Sequence, residues 1–430
     1  MRVLVTGATG LIGAAIVARL LGEGYEVVGI ARDIERARRR YPQVEWLALD
    51  IGELIAPLDW IPLLACVDTV INCAGTLQDG PRDSLRGVHE DGPAALFTAC
   101  QNKGIRRVIH ISAVGVDRAT PTGFSRTKLH ADDALMARNL DWVILRPSVV
   151  LGRAPFGGSA LIRGLASLPV LPVFPNTGPL QVVQLDDIVE TVLFFIRPHA
   201  PTKLALDLAG PERLSFIEVV ATYRRWLGWP QARTFAMPHW AAALLFRLGD
   251  FAGLLGWRPP VRSTARYEIA RGAVGDSAEW RRVTGIVPSS LSAALATEPA
   301  SVQERWFAGL YIIKPILFTV LALFWIGTGL ICLIPGWNIG VGLMQESGAG
   351  PLSAPVVIAG ALADMLIGTA IAMRRTARTG LYVALAISVA YLVAGTLLLP
   401  RLWIEPLGPL LKAWPILVLN VVALAILEER

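Results

Sequence analysis

Charge is scarce in this chain of 430 residues: Asp, Glu, Lys and Arg make up 17% of it, against a hydrophobic share of 53%. Ordinary soluble domains carry about 25% charged residues, so part of the chain must be built for another solvent. The scarcity is local, since residues 306–430 hold only 7 Lys/Arg and 5 Asp/Glu. Histidine stops altogether after His239. Cysteine is equally thin: Cys66, Cys73, Cys100 and Cys332 lie in apolar surroundings with no Cys-x-x-Cys pair among them. That excludes a disulfide frame and a thiolate metal site, leaving small core residues in a reducing compartment. A broad basic face is missing as well. The net charge is +6 and the run Arg36-Ala37-Arg38-Arg39-Arg40 is short, which argues against nucleic acid as a partner. No secretory leader is expected, because glycines break the first apolar run almost at once.

What is present begins at Arg2-Val3-Leu4-Val5-Thr6-Gly7-Ala8-Thr9-Gly10-Leu11-Ile12-Gly13. A short buried strand runs into glycines at steps of three, and an apolar run at helical spacing continues to Leu21. Gly7 permits a tight turn, Gly10 lets the backbone approach a pyrophosphate, and Gly13 lets the helix lie close on the sheet. The helix start offers free N–H groups and positive dipole to phosphate. Further strands are expected at Glu26–Ala31, Trp46–Asp50, Thr69–Gly75, Arg107–Ser112 and Asp141–Ser148, with a helix over Pro93–Lys103. Just past the second strand, where such a fold meets the adenosine ribose, stand Arg32 and Asp33. Arginine favours a 2′-phosphate and an acid the 2′-hydroxyl. NADP(H) is therefore the preferred cofactor, with NAD(H) left open by Asp33.

Taken in order, the glycine steps, Asn72-Cys73-Ala74-Gly75, Ser112, Lys128 and Arg146-Pro147-Ser148 resemble the short-chain dehydrogenase/reductase superfamily, in its extended, epimerase/dehydratase-like branch. The resemblance is strong over residues 1–150 and weaker to about 225. It implies a cofactor cradle of Gly7, Thr9, Gly10, Leu11, Ile12, Gly13, Arg32, Asp50, Ala74, Gly75, Lys128 and Pro147. Asp50 would meet the adenine amine, and the backbone at Pro147 would cover the nicotinamide side. It also implies catalytic roles for Ser112, orienting a substrate carbonyl or hydroxyl, and Lys128, holding the ribose; a strand-end serine that merely caps backbone is the plainer alternative. The superfamily's Tyr-x-x-x-Lys reads here Phe124-Ser125-Arg126-Thr127-Lys128, and no tyrosine lies between Ser112 and Lys128. Phe124 has no proton to give, as in atypical members that keep the nucleotide fold and lose the tyrosine.

From Gly152 to Pro179 the composition turns to Gly, Pro and short apolar runs, where extended members build a substrate lobe. A strand at Gln181–Val183, a helix over Ile188–Ile196 and a strand at Leu204–Ala209 are expected. Ser215-Phe216-Ile217-Glu218 is a capping box opening a helix that Gly228 closes. Between Pro238 and Gly256, Trp240, Leu244, Leu245, Leu248, Phe251 and Leu255 fall on one helical side. That helix reads as an interfacial membrane helix, a lid or a core helix.

Four apolar stretches follow, Phe307–Ile334, Ala354–Met373, Gly380–Leu399 and roughly Leu410–Leu427. The first three reach the ~20 residues a crossing helix needs, and Lys412 can snorkel beside the fourth. The tail resembles the DoxX-like membrane domain in its hydropathy and in Lys314-Pro315 and Ala363-Asp364. Arg374, Arg375 and Arg378 would hold their loop in the cytoplasm, giving a multi-pass protein of the cell (inner) membrane with its nucleotide domain and both termini cytoplasmic. An ionisable residue at membrane depth wants a partner, so Lys314 and Asp364 are expected to lie together.

The predicted architecture is an α/β Rossmann-type parallel sheet with a small substrate lobe, followed by an all-α four-helix transmembrane bundle. Its boundaries are 1–225 for the nucleotide domain with part of the lobe, 226–305 for a helical lobe or interfacial segment, and 306–430 for the bundle. The expected function is a membrane-anchored NAD(P)-dependent oxidoreductase acting on a lipid-soluble, quinone- or isoprenoid-like substrate. The alternative is a non-catalytic NADPH-binding sensor or assembly protein, similar to the accessory nucleotide-binding subunit of respiratory complex I. The expected partners are the bilayer and either a lipophilic small molecule or a membrane redox complex. Sugar-nucleotide epimerisation, the other inheritance of the extended group, is disfavoured by Phe124.

Overall fold

The apolar runs of the first 210 residues pair side by side, all parallel. A computed structural model describes residues 1–81, 83–406 and 408–427. Within it the chain divides into two units, Met1–Asp250 with Pro259–Ala308, and Phe251–Arg258 with Gly309–Arg430. The first is built on seven strands: β1 (Arg2–Thr6), β2 (Glu26–Ala31), β3 (Glu45–Ala48), β4 (Thr69–Asn72), β5 (Arg107–Ile111), β6 (Asp141–Pro147) and β7 (Leu204–Leu208). Their order across the sheet is β7-β6-β5-β4-β1-β2-β3. Strands fully buried on both faces read as continuous Val/Ile/Leu runs rather than alternating ones, as Val3–Val5 and Val143–Leu145 do. The order reverses between β1 and β4, and in open sheets of this kind ligands bind at the carboxyl ends of the strands at that switch.

Helices cover both faces. The ones used below are α1 (Leu11–Gly22), α2 (Gly92–Lys103), α3 (Gly123–Met136), α4 (Leu185–Ile196), α5 (Phe216–Trp226) and α6 (His239–Leu254). One core packs Ile16, Val17 and Leu20 of α1 with Ile188, Val192 and Phe195 of α4. The other packs Leu96, Phe97 and Cys100 of α2 with Trp60 and Leu135. The capping box of α5 forms as read: the Ser215 backbone N–H donates to Glu218 at 2.7 Å, and the Glu218 N–H donates back to the Ser215 hydroxyl at 3.3 Å. The expected strand at Trp46–Asp50 ends early, because Asp50 turns to accept the Gly52 N–H at 2.9 Å. The Leu204–Ala209 strand joins the main sheet as its edge. The lobe adds two parallel strand pairs, Val149–Leu151 with Val182–Gln184, and Val170–Val173 with Arg233–Ala236.

α6 is not a core helix. Trp240, Leu244, Leu248, Phe251 and Leu254 are all exposed, while Ala242 and Phe246 on the other side are buried.

The second unit carries α7 (Val302–Leu333, begun in the first unit), α8 (Trp337–Glu346), α9 (Ser353–Ala372), α10 (Ala377–Leu398) and α11 (Ala413–Ile426). Among the described residues three apolar helices are long enough to cross a membrane, over Val302–Leu333, Gly350–Ala372 and Ala377–Leu398. The expected fourth span needs correction, since α11 has only 14 residues, about 21 Å at 1.5 Å per residue. The turn before it makes up part of the distance. Leu410 packs where a Cβ on Gly395 would stand, and the Leu427 carbonyl accepts from Lys314 Nζ at 3.4 Å. The expected meeting of Lys314 with Asp364 does not occur. α7 and α9 run antiparallel with Gly329 beside Ala361 and Gly368 beside Ala322, so Asp364 is level with residues about three turns further along α7 than Lys314. Asp364 instead accepts from the Tyr391 hydroxyl at 3.3 Å.

Candidate nucleotide and substrate sites

The cofactor and catalytic candidates named from the sequence stand at the carboxyl ends of the strands and on the turns and helices that follow them. The turn after β1 is tight because Gly7 has φ +62°, and a Cβ on it would stand 2.8 Å from the Ala74 backbone. A Cβ on Gly13 would stand 2.3 Å from the Gly7 carbonyl oxygen. No side chain other than hydrogen fits either place, which brings α1 hard against the turn. Gly10 caps α1, and its first turn holds no acid. The N–H groups of Leu11, Ile12 and Gly13 are among those a helix start leaves without partners in its own backbone, and Thr9 lies in the turn before them. An anion fits this end in both geometry and sign.

Arg32, at the end of β2, pairs with Asp83 at 2.8 Å and lies 3.6 Å from Asp50. Ala74 and Gly75 follow β4. A Cβ on Gly75 would meet His89 Nε2 at 3.4 Å and Lys128 Nζ at 3.6 Å, so this glycine roofs both groups. At the end of β6 the Pro147 carbonyl accepts the Val114 N–H at 3.0 Å. Lys128 enters from α3, buried, and donates to the Ile111 carbonyl at 2.9 Å and to that of Ala74 at 3.4 Å. Burial pulls its ammonium down to about 8, with Asp132 opposing. Next to it, burial pushes the Cys73 thiol up to about 12, so it stays protonated.

Sequence reading missed the polar bed beneath these groups. His89 sits between Lys128 and Phe124, its ring edge-on to Phe124 with centroids 5.5 Å apart. Its Nε2 accepts the Thr76 N–H at 3.0 Å. Nδ1 lies 3.0 Å from the Thr127 hydroxyl, which itself donates to the Gly123 carbonyl at 2.9 Å. Those partners leave one proton for the ring, on Nδ1, and burial beside Lys128 keeps it from taking a second. Deeper still, Asn72 accepts from the Thr6 hydroxyl at 2.6 Å and its Nδ2 faces His110 Nδ1 at 3.0 Å. His110 Nε2 points at Asp132 from 3.6 Å. Asp132 takes a 3.0 Å hydrogen bond from Arg146 Nε, and Arg146 reaches on to Asp117 at 2.6 Å. Burial raises the Asp132 carboxyl to about 6 against the pull of Arg146. Asp132 was within reach of sequence reasoning: it follows Lys128 by four, on the same helix face. The two histidines carried no such signal.

Ser112 is buried at the end of β5. Its hydroxyl is close enough to Asp132 to favour the charged carboxylate, yet it makes no hydrogen bond of ordinary geometry. A buried hydroxyl left in this state has a hydrogen to offer an arriving group.

A second concavity lies in the lobe, lined by Leu161, Phe174, Phe216, Phe246, Val261 and Ile269, with Arg266 as its one charge. One helix, Ser263–Arg271, joins it to the nucleotide edge. Ile269 and Arg266 face the concavity, while Glu268 accepts from the Thr122 hydroxyl that caps α3. Arg271 donates to the Ala119 carbonyl at 3.3 Å. Among the described residues no group of three or more His, Cys, Asp or Glu is arranged to hold a metal.

Residues 7–162 match the NAD(P)H-binding family and residues 322–421 the DoxX-like family. Over 229 residues the chain is 29% identical to an uncharacterised protein of Mycobacterium tuberculosis, a match covering 52% of this chain and 23% of that one. The chain thus spans less than a quarter of that relative's length. It is 26% identical over 345 residues to sterol demethylase protein B of Methylococcus capsulatus, covering 71% of this chain and 99% of that protein. It is also 26% identical over 196 residues to the ceramide reductase of Caulobacter vibrioides, covering 45% and 61%. The fold resembles that of UDP-glucuronic acid 4-epimerase from Bacillus cereus, solved with UDP-glucuronic acid and NAD, at a TM-score of 0.53 and 19% identity over 72% of this chain and 100% of that one.

Switch-point turn, parallel sheet and family match agree on an NAD(P)H-binding, Rossmann-type fold for the first part of the chain, a fold it shares with the solved epimerase. That domain is followed by the stretch matched by the DoxX-like family, and among the described residues three apolar helices within it or running into it are of membrane length.

Proposed function

We propose that the chain is a membrane-anchored NAD(P)-dependent oxidoreductase for a lipid-soluble substrate of the quinone or isoprenoid class. The observation that carries this is the aromatic-lined concavity, joined through one helix to the Thr122 cap of the helix bearing Phe124 and Lys128. Two relatives whose names carry a sterol and a ceramide, both lipids, support the same class of substrate. When bound, a reduced nicotinamide supplies a hydride. The chain's own part is to seat the pyrophosphate on the N–H groups of Leu11, Ile12 and Gly13, past Gly7, Thr9 and Gly10. Lys128 holds the ribose, Arg32 and Asp50 the adenosine side, and Ala74, Gly75 and Pro147 wall the ring. Ser112 donates its unshared hydrogen to the substrate oxygen. NADP(H) is the preferred cofactor through Arg32, and its 2′-phosphate has to compete there with Asp83 and Asp50.

Phe124 cannot pass a proton, so the substrate must take one from water or need none in the rate-setting step. A quinone meets that condition better than a ketone, whose alkoxide needs an acid worth about 10²–10⁴ in rate. The deciding experiment uses full-length protein in detergent with NADPH and a short-chain quinone. NADPH oxidation that Lys128→Ala abolishes is expected. Phe124→Tyr is expected to add turnover of ketones. Tight NADPH binding with no turnover of any lipid acceptor would replace this reading with the sensor or assembly reading, which the missing tyrosine favours. The reading also takes residues 1–225 as the nucleotide part, 226–305 as the lobe, and 306–430 as the anchor, with the nucleotide part in the cytoplasm.

A further inference from the structure

α6 presents two unlike faces. On the outer one Trp240, Leu244, Leu248, Phe251 and Leu254 are 71%, 50%, 55%, 59% and 74% exposed. Their steps of four, four, three and three keep them on a single side, and the only charge among them is Arg247. A contiguous exposed stripe of this kind marks an interaction surface. On the inner face Gly249 lies so close to the Val261 carbonyl that no Cβ fits, and Phe246 lines the lobe's concavity.

We propose that this outer face lies in the headgroup region of a bilayer, and that α6 is where a lipid-soluble substrate leaves the membrane for the lobe. The residues just beyond the stripe point to lipid as its occupant. Leu255 accepts the Arg374 N–H at 3.0 Å, and Trp257 Nε1–H donates to the Ala372 carbonyl at 2.7 Å. The Arg374 guanidinium lies over the Trp257 ring at 5.6 Å. Phe251 and Leu254, the last residues of the stripe, are thus followed in the chain by a Trp that pairs with Arg374 on the turn ending α9, the composition that anchors crossing helices at the water boundary. Its sign agrees. Arg247 is placed to snorkel from the centre of the face to lipid phosphate. The nearest acid, Asp250, is turned sideways to Ser263 and to Gln78, which donates to it at 3.0 Å. A bulky apolar face with a lone cation lies in the plane of the interface. Phe246, on the opposite side of the same helix, lines the concavity, so α6 stands between that face and the lobe's cavity. This entry role rests on the reaction proposed above; the lipid contact does not.

The test uses the full chain in nanodiscs of phosphatidylcholine and phosphatidylglycerol, in a Cys66→Ser background. Leu248→Cys is labelled with an environment-sensitive nitrobenzoxadiazole and compared with Lys103→Cys, on the exposed end of α2. A blue-shifted label at 248, quenched at least three-fold more strongly by shallow spin-labelled lipid than the label at 103, is expected. Equal quenching at both positions would overturn the proposal. So would protection of 248 that appears only as protein concentration rises, which would make the stripe a contact between copies. The double change Leu248→Asp with Phe251→Asp, read by a label at position 244 (Leu244→Cys), should lose that quenching while NADPH affinity stays within two-fold. For a membrane-soluble quinone it should raise KM at least five-fold with kcat unchanged. Lipid contact with no NADPH turnover would leave the helix assignment standing and remove the entry role together with the reaction.

Discussion

In the proposed reaction Lys128 holds the cofactor's ribose, and its environment makes a pH prediction. Burial holds its pKa near 8, below the ~10.4 of a lysine in an unfolded chain. The ammonium form, the one proposed to attract the cofactor, is full at pH 6–7 and lost as pH rises through 8. NADPH affinity is therefore expected to fall by up to about tenfold per pH unit above 8, measured by fluorescence titration. Lys128→Arg should flatten the curve, since arginine stays charged. The linkage to stability has the opposite slope. Between pH 8 and ~10 the unfolded chain binds more protons at this site than the folded one, so the cofactor-free protein gains stability there as pH rises. Around Lys128, the sequence displayed the glycines, Ser112 and Phe124. It did not display His89 and His110, because their placement depends on which strands become neighbours, and β4 and β5 lie 38 residues apart at Asn72 and His110.

At the level of elements, the β1–α1 turn is the least tolerant part of the molecule. Gly13→Ala pushes a Cβ to within 2.3 Å of the Gly7 carbonyl. Overpacking against backbone costs about 1–3 kcal/mol, and the shift opens the anion seat. A lower melting temperature and at least tenfold weaker NADPH binding by calorimetry are expected. Gly22→Ala, with nothing within 4 Å, serves as the control and should stabilise α1 slightly. Strand and helix positions in the nucleotide domain were legible because buried parallel strands and capped helices obey local rules. The Ser215–Glu218 box is one such rule met in full. α6 was ambiguous for a physical reason: a periodic apolar face looks the same whether protein or lipid covers it. α11 was over-read because hydropathy counts apolar residues through a turn, and the segment before Ala413 is not helical.

For the whole molecule, orientation is the quantity to measure, and basic residues supply the expectation. With Arg374 and Arg375 in the loop between α9 and α10 and Arg378 in the first turn of α10, that loop should lie on the cytoplasmic side. In a Cys66→Ser background, Thr376→Cys should react with an impermeant maleimide only in inverted vesicles, and Gln345→Cys only in right-side-out ones. The reverse pattern would put the nucleotide edge on the wrong side of the membrane for its cofactor. The pairing expected for Lys314 and Asp364 failed at this scale. Depth can be counted along each stretch, but the register between helices is set by packing of small residues such as Gly329 and Gly368 against their neighbours.

The shortness of α11 has a mechanical consequence. In a bilayer, a helix of about 21 Å beside neighbours long enough for about 30 Å of hydrocarbon would leave one flank of the bundle thinner than the rest. Acyl chains there must shorten or tilt to meet it, a mismatch that costs fractions of a kcal/mol per Å. Fluid, short-chain lipid should gather on that side, giving the anchor a preferred flank within the plane of the membrane.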